Sequence, residues 1–538
     1  MRRLAVCAVV SFAVAAPAHA SSLSQPALYG LRASNGSTPF AGDTPLLTTV
    51  SPNGDGFRDR ALITFRLRRV ATVTMDVTQT LKAPHVVYTL RATLGPGVHQ
   101  FTWSPAPNLE PRTYLVRFAA VDRGGRRVTY GAPDAFVDRY RPGVVVRVQG
   151  IDAGFTKPNA LPGEDVRLHI ATDEPSLTLR LFRSGTEHVA TTVPDVMNGV
   201  EVDGGPLLLD WTRWRSAPHT ITYRVPDLPS GLYFVQLTGP DGRVGYAPLV
   251  VRPVVLGETS RVLVVLPTNT WQAYNFQDVN GDGYGDTWYA GGPNETVDLG
   301  RAYLDRGVPP HFDHYDLPVL HWLYWTGKKV EFISDSDFDQ IATGDELARA
   351  YDLIVFEGHE EYVLPHEYDV IQRYRDLGGN LMFLSANNFF WRIAKRGQVL
   401  ERLDEWRQAG RPEAALIGTQ YRANDDGQRQ GLFVVGDTAQ APWFWDGTGL
   451  TTGSTFGQYI GGYGIEIDST TAQSPPGTIV LAQIPNLYGA GLTAQMTYYE
   501  TSAGAKVFAA GALDFGGSAA TWPAKRLLTN LWTHLSVP

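Results

Sequence analysis

From Arg261 onward the chain alternates short, almost wholly apolar runs with segments of helical period. "RVLVVLP", "KVEFISD", "YDLIVFEGHE" and "GNLMFLSAN" read as strands, "LPVLHWLYWTG" and "EYDVIQRYRDLG" as helices, and "AKVFAAGALDF" with "AKRLLTNLWTHL" repeats the pattern near the end. A strand without polar alternation must be buried on both faces, and strand–helix–strand repeats at this spacing build a parallel sheet covered by helices on both sides. Ligands of such sheets bind beyond the carboxyl ends of the strands. The polar clusters "PTNTWQAYN", "EGHEEY" and "SANNFFW" each follow a strand directly and are expected to converge on one rim.

Upstream the pattern is different. Residues 45–140 carry short alternating runs, "ALITFRLRR", "ATVTMDVTQ" and "TYLVRFAAVD", separated by turn segments such as "GPG" and "DRGGR", which is the pattern of an antiparallel β-sandwich. Its opening, "VSPNGDGFRD", resembles the start of Ig-like modules in secreted and flagellar-hook bacterial proteins. Residues 141–255 repeat the style, and "SGLYFVQLTGPDGR" echoes "RTYLVRFAAVDRGGR", so a second Ig-like sandwich is expected, with the α/β domain over residues 259–538. A chain of 538 residues is too long for one core and should divide into about three domains.

Residues 1–20 read as a signal peptide: Arg2 and Arg3, an apolar run, then Ala18 and Ala20 in a cleavage pattern. Residues 21–44 follow as a linker. The only cysteine, Cys7, lies in that leader, so the exported chain is expected to hold no disulfide or thiol. No later stretch reaches the roughly 20 apolar residues of a membrane span. Without Arg2 and Arg3 the 46 basic residues become 44 against 54 acidic ones, a net charge of −10, which argues against nucleic acid or anionic lipid as a partner.

The stretch "FEGHEEYV" at 356–363 sets a histidine and two glutamates at a strand end. It is not a zinc-protease helix, because H-E-x-x-H needs a second histidine where Val363 stands. In extended chain His359 and Glu361 project from one face and Glu360 from the other. A doubly covered sheet of this kind suggests the class I glutamine amidotransferase layout, whose nucleophile is usually a cysteine on a tight turn. The exported chain has none, and Ser385 in "LSANN" lacks the flanking glycines of a nucleophile elbow. Metal-assisted hydrolysis is the chemistry left to test.

"VLVVLPTNTWQAYN", "VFEGHEEYV" followed by "LGGNLMFLSANNFFWR", "WFWDGTGLTTGSTFG" and "YYETSAGAKVFAAGALDF" together resemble the C-terminal region of the N,N-dimethylformamidase large subunit. The resemblance implies a small-amide hydrolase with a mononuclear ferric ion held by two tyrosinates and one glutamate. Residue by residue it points to Tyr274 and Glu361 as ligands and, through the "SGLY" context, to Tyr233. It further implies proton-handling or supporting roles for His359, Asn387 and Glu500; on chemical grounds alone Glu360 is an alternative proton carrier, though its place on the opposite face predicts a surface position. Two phenolates and a carboxylate would balance the charge of ferric iron, a hard ion that favours anionic oxygen. The family's separate small subunit is not supplied by this chain, and the Ig-like modules depart from the family pattern.

"DVNGDGYGD" offers Asp278, Asn280, Asp282 and Asp286 in the order of a calcium loop, although position twelve is Tyr289 where an EF-hand has glutamate. A weaker version is Asn53, Asp55 and Asp59. These loops, with the Ig-like modules, also support a rival expectation: a non-enzymatic surface or binding protein whose α/β domain is an inactive scaffold.

Overall fold

A computed structural model describes residues 25–81, 83–131, 141–202, 204–290 and 296–537; the leader, 1–20, lies outside them. The first sandwich packs a three-stranded sheet (Leu28–Ser34, Ala61–Leu67, Gly97–Trp103) on a six-stranded one built around Ala71–Gln79 and Arg112–Asp122. Alternation does the work: along Ala61–Leu67, Ala61, Ile63, Phe65 and Leu67 point into the core, where Phe101, Phe118 and Val73 meet them. Two boundaries shift from the sequence expectation. Leu28–Ser34, read as linker, pairs antiparallel with Ala61–Leu67, and Val144–Val148 pairs with both Leu47–Val50 and Arg112–Val116, so it completes the first sandwich rather than opening the second.

The second sandwich repeats the plan, with Asp152–Phe155, Asp165–Ala171 and His219–Arg224 facing a six-stranded sheet centred on Ser176–Ser184, Gly231–Thr238 and Val244–Val251. The repeat extends to side chains. The Tyr114 hydroxyl donates to the Glu110 carbonyl at 2.9 Å, and the Tyr233 hydroxyl donates to the Pro229 carbonyl at 2.9 Å. Each is a tyrosine corner, in which the ring fills the core and the hydroxyl ties back to the chain four residues upstream.

The third region is built on a nine-stranded sheet. Glu331–Ser334, Val262–Leu266, Leu353–Phe356, Asn380–Phe383 and Lys506–Ala509 run parallel in that spatial order, and four antiparallel strands, beginning with Ala494–Glu500 and Ile479–Ile484, extend the edge. Successive residues of the parallel strands serve opposite faces. Val262, Val264, Val355 and Met382 pack against the helices Leu317–Trp325 and Ala524–Leu535, while Leu263, Val265, Ile354 and Phe383 pack against Gly344–Ala350 and Pro365–Asp376. That two-sided burial is why "VLVVL" and "LIVF" carry no polar alternation. The first strand in sequence, Val262–Leu266, lies between the second and the third. The connections therefore leave in opposite directions at its carboxyl end, opening a crevice there.

The acidic loop 278–286 docks this region on the first sandwich. Tyr284 enters a small apolar cluster with Leu47, Leu115 and Val145, the Thr80 hydroxyl donates to the Gly283 carbonyl at 3.0 Å, and Arg147 donates to the Val279 carbonyl at 3.1 Å.

Candidate functional site

The crevice holds a cleft of about 840 Å³, and its walls come from all three regions: Leu81 and Ala83 from the first sandwich, Pro194 from the second, and the strand ends of the third. After Leu266 the chain turns into the short helix Thr268–Ala273, which delivers Tyr274 at its C-cap. After Phe356 the loop 357–361 delivers His359 and Glu361. Backbone and side chain fix that loop: the Glu361 N–H donates to Thr270 Oγ1 at 3.1 Å, the Glu361 carbonyl accepts from Trp391 N at 2.9 Å, and the Glu360 N–H donates to Asn388 Oδ1 at 3.2 Å. Gly358 is obligatory, because a Cβ there would sit 2.3 Å from the Asp316 carboxylate.

Two side chains meet on one oxygen. The Tyr274 hydroxyl donates to Glu361 Oε2 at 2.7 Å, and His359 Nε2 reaches the same atom at 3.1 Å. Tyr289 stacks on Tyr274 with ring centroids 4.7 Å apart, its hydroxyl 3.3 Å from that of Tyr274 and in close contact with that of Tyr362. His359 Nδ1 faces the Ala386 carbonyl at 3.1 Å, which gives that nitrogen the proton and turns Nε2 to the carboxylates. Burial alone would lower the His359 pKa, but Glu361 and Glu466, the latter 3.6 Å away, outweigh it and raise it to about 9. Burial raises the Glu466 carboxyl to about 7 even against the pull of His359, and Asn424 Nδ2 donates to its other oxygen at 2.9 Å. Burial, then Glu361 and Glu466, hold the Tyr274 phenol well above its ordinary value.

Tyr274, His359, Glu361 and Asn387 thus line one cleft. Asn387 takes a left-handed backbone (φ 54°), and its N–H donates to Asp468 Oδ1 at 2.9 Å. Three sequence expectations are corrected. Tyr233 does not reach the cleft; its ring is 1% exposed in the second sandwich core and its hydroxyl is committed to Pro229. Glu500 lies on the opposite rim: it pairs across the sheet with Lys506, the first residue of a parallel strand, and accepts from the Tyr498 hydroxyl at 2.5 Å. Glu360 does face away from Glu361, but into the protein rather than the solvent, where burial and then Asp335 and Glu367 raise its pKa well above the carboxylate range.

The residues that the sequence reading missed are Glu466 and Tyr289. Glu466 starts the short strand Glu466–Ser469, paired with Gln420–Asn424 outside the main sheet, and no strand-to-helix pattern announces it. In the sequence Tyr289 stands out only at position twelve of the calcium-like loop, where an EF-hand has glutamate. That loop closes on itself: Asp278 accepts from Gly281 N at 2.7 Å and Gly283 N at 2.8 Å, Asp282 accepts from Tyr284 N at 2.9 Å, and Asp286 accepts from Val279 N and Asn280 Nδ2, both at 2.7 Å. The Asn53, Asp55 and Asp59 loop behaves alike, with Asp59 accepting from Gly54 N and Gly56 N at 2.9 Å. Among the described residues no group of three or more His, Cys, Asp and Glu side chains is placed to hold a metal ion.

A family model described as "N,N-dimethylformamidase beta subunit-like, C-terminal" matches residues 183–526. Among curated relatives, an N,N-dimethylformamidase beta subunit from Paracoccus aminophilus is 22% identical over 257 residues, covering 38% of this chain and 34% of that protein. Another of the same name from Alcaligenes sp is 26% identical over 152 residues, covering 28% of this chain and 19% of that protein. The chain thus spans about a third and a fifth of these relatives. Among solved structures, a Salmonella alpha-2-macroglobulin mutant aligns over 44% of this chain and 18% of that one at 11% identity, with a TM-score of 0.24, too slight a likeness to bear on the fold.

Proposed function

The chain belongs to the N,N-dimethylformamidase beta subunit-like C-terminal family over residues 183–526, and on that premise we propose that it hydrolyses a carboxamide C–N bond in the cleft around Glu361. The observation that carries the reading is the convergence of the Tyr274 phenol and the His359 imidazole on Glu361 Oε2 at 2.7 and 3.1 Å, inside a cleft open to a ligand.

The donor set fits the ferric ion that the resemblance implies. Tyr274, Glu361 and, in place of Tyr233, Tyr289 bring two phenols and a carboxylate together, the hard anionic oxygens such an ion prefers. When bound, that ion supplies polarisation of the amide carbonyl and a bound water of lowered pKa.

The protein's own groups do the rest. His359, cationic between Glu361 and Glu466, fixes the Glu361 carboxylate and keeps a proton next to the reacting centre. The Asn387 side chain, on the same wall, hydrogen-bonds the Glu466 carboxyl and steadies it beside His359. Water oxygen adds to the carbonyl carbon, the C–N bond breaks, and the departing nitrogen takes a proton; Glu466 is the group that accepts the water proton and returns it. The doubly covered sheet supports an amidotransferase-like layout, and residues 1–20 support export. No helix among the described residues is long and apolar enough to cross a membrane. The relatives' name, beta subunit, supports a further chain as a partner.

The test is iron per chain together with amine release from a panel of amides. Iron in roughly stoichiometric amount and amine release, both lost in Glu361→Gln, are expected. Absence of amine release across the panel overturns the reading in favour of a surface binding protein.

A further inference from the structure

Resting on the amide-hydrolase reading, the cleft also says what kind of amide it takes. At about 840 Å³ it falls near the top of the roughly 300–1,000 Å³ range of pockets that enclose drug-sized ligands, far more room than a dimethylated formamide fills. Phe390, Trp391, Tyr421 and Arg402 give it an aromatic and cationic wall.

Among the described lining residues Arg402 is the only lysine or arginine, alongside Asp305, Asp316, Glu361, Asp426 and Glu466. Its guanidinium carbon lies 4.5 Å from the Trp391 ring centroid and 5.4 Å from that of Trp288. Neighbouring arginines on the same ribbon are matched to acids: Arg392 to Asp404 at 2.6 Å and Arg396 to Glu401 at 3.5 Å. Among the described residues no carboxylate pairs with Arg402, although acids line the same cleft. A guanidinium held by two indoles keeps its donor edge for a planar anion, which it can bind through two parallel N–H···O bonds.

We propose that the substrate is an amide that carries a carboxylate apart from the scissile bond, as an N-acyl amino acid does, and that Arg402 binds that carboxylate while Glu361 and its neighbours act on the amide. Hydrolysis of such a compound yields a carboxylic acid and an amino acid. Arg402, the one guanidinium among the described lining residues, sets where the carboxylate sits.

The experiment compares an N-acyl amino acid with the same compound bearing a neutral carboxamide in place of the carboxylate. Binding is read from tryptophan fluorescence, since Trp288 and Trp391 flank Arg402, and from calorimetry; amine release is measured separately. Wild type should bind the carboxylate form at least tenfold more tightly. In Arg402→Gln that ratio should collapse towards one, and in Arg402→Lys it should fall part of the way, because the charge stays and the fork is lost. Melting curves establish that both variants are folded; if Arg402→Gln does not fold, the Arg402→Lys ratio decides. Equal binding of the two compounds by wild type, or a ratio unaltered in both variants, overturns the proposal. A carboxylate preference that depends on Arg402 without amine release would sink the hydrolase reading and leave the anion subsite standing.

Discussion

The Tyr274 hydroxyl and His359 Nε2 share one acceptor, Glu361 Oε2, at 2.7 and 3.1 Å. Glu361→Gln keeps the volume and removes the charge that both partners address, so iron content and amine release should both fall to background. His359→Ala should retain part of the iron and lose about 10- to 100-fold in activity, the usual effect of removing a group that orients a metal ligand. Full iron occupancy in Glu361→Gln would remove it from the ligand set.

The two tyrosine corners separate Tyr233 from Tyr289. Tyr233→Phe deletes one buried hydroxyl bond to Pro229 and should cost about 1 kcal/mol of stability with iron unchanged. Tyr289→Phe should lower iron content and leave the second sandwich intact. Iron loss in Tyr233→Phe would reverse this assignment.

On the cleft wall, burial raises Asp316 to about 8, and burial also holds its neighbour Glu357 well above the carboxylate range. Both folded values exceed the unfolded ones, so the stability these groups contribute is full below about pH 4 and is lost as pH rises through about 8. Glu357→Gln removes one of the two protons at stake. Its melting temperature should decline less than that of wild type between pH 6 and 9; parallel declines would place the titration elsewhere.

Asp278 accepts from three backbone N–H groups, those of Gly281, Asp282 and Gly283. Asp278→Ala leaves them without an acceptor in a docked loop, and a loss of about 1–3 kcal/mol is expected. Calcium is the competing ligand for the same oxygens. Thermal melts with calcium and with a calcium-selective chelator should coincide; a rise of several degrees with calcium would establish the ion at this loop.

The parts of the site that could be read from sequence are those where strand polarity and a polar cluster coincide. His359 and Asn387 follow their strands by three and four residues, and Tyr274 follows Val262–Leu266 through the helix Thr268–Ala273, so the polarity of the parallel sheet brings all three to one rim. Glu500 also ends a strand, yet Ala494–Glu500 runs antiparallel to its neighbour Lys506–Ala509, and its last residue lands on the far rim. Sequence shows that a strand ends there; it does not show which way the strand runs. Glu466 was invisible for a related reason: a four-residue strand outside the main sheet carries no periodic signal, and its place beside His359 is set by the packing of the Gln420–Asn424 pair. The "SGLY" context that points to Tyr233 marks a tyrosine corner, whereas Tyr289 is placed by stacking on Tyr274, which local sequence context does not encode.

Leu81, Ala83 and Pro194 reach the cleft from modules that contribute none of the groups assigned to the chemistry. Selection acting on those tips alters which molecules gain entry without disturbing the atoms that break the bond, and mutations in the catalytic wall leave the doorway as it was. The same partition is available to an engineer: loop grafts on the sandwiches retune substrate range, one module at a time, over an unchanged reaction centre.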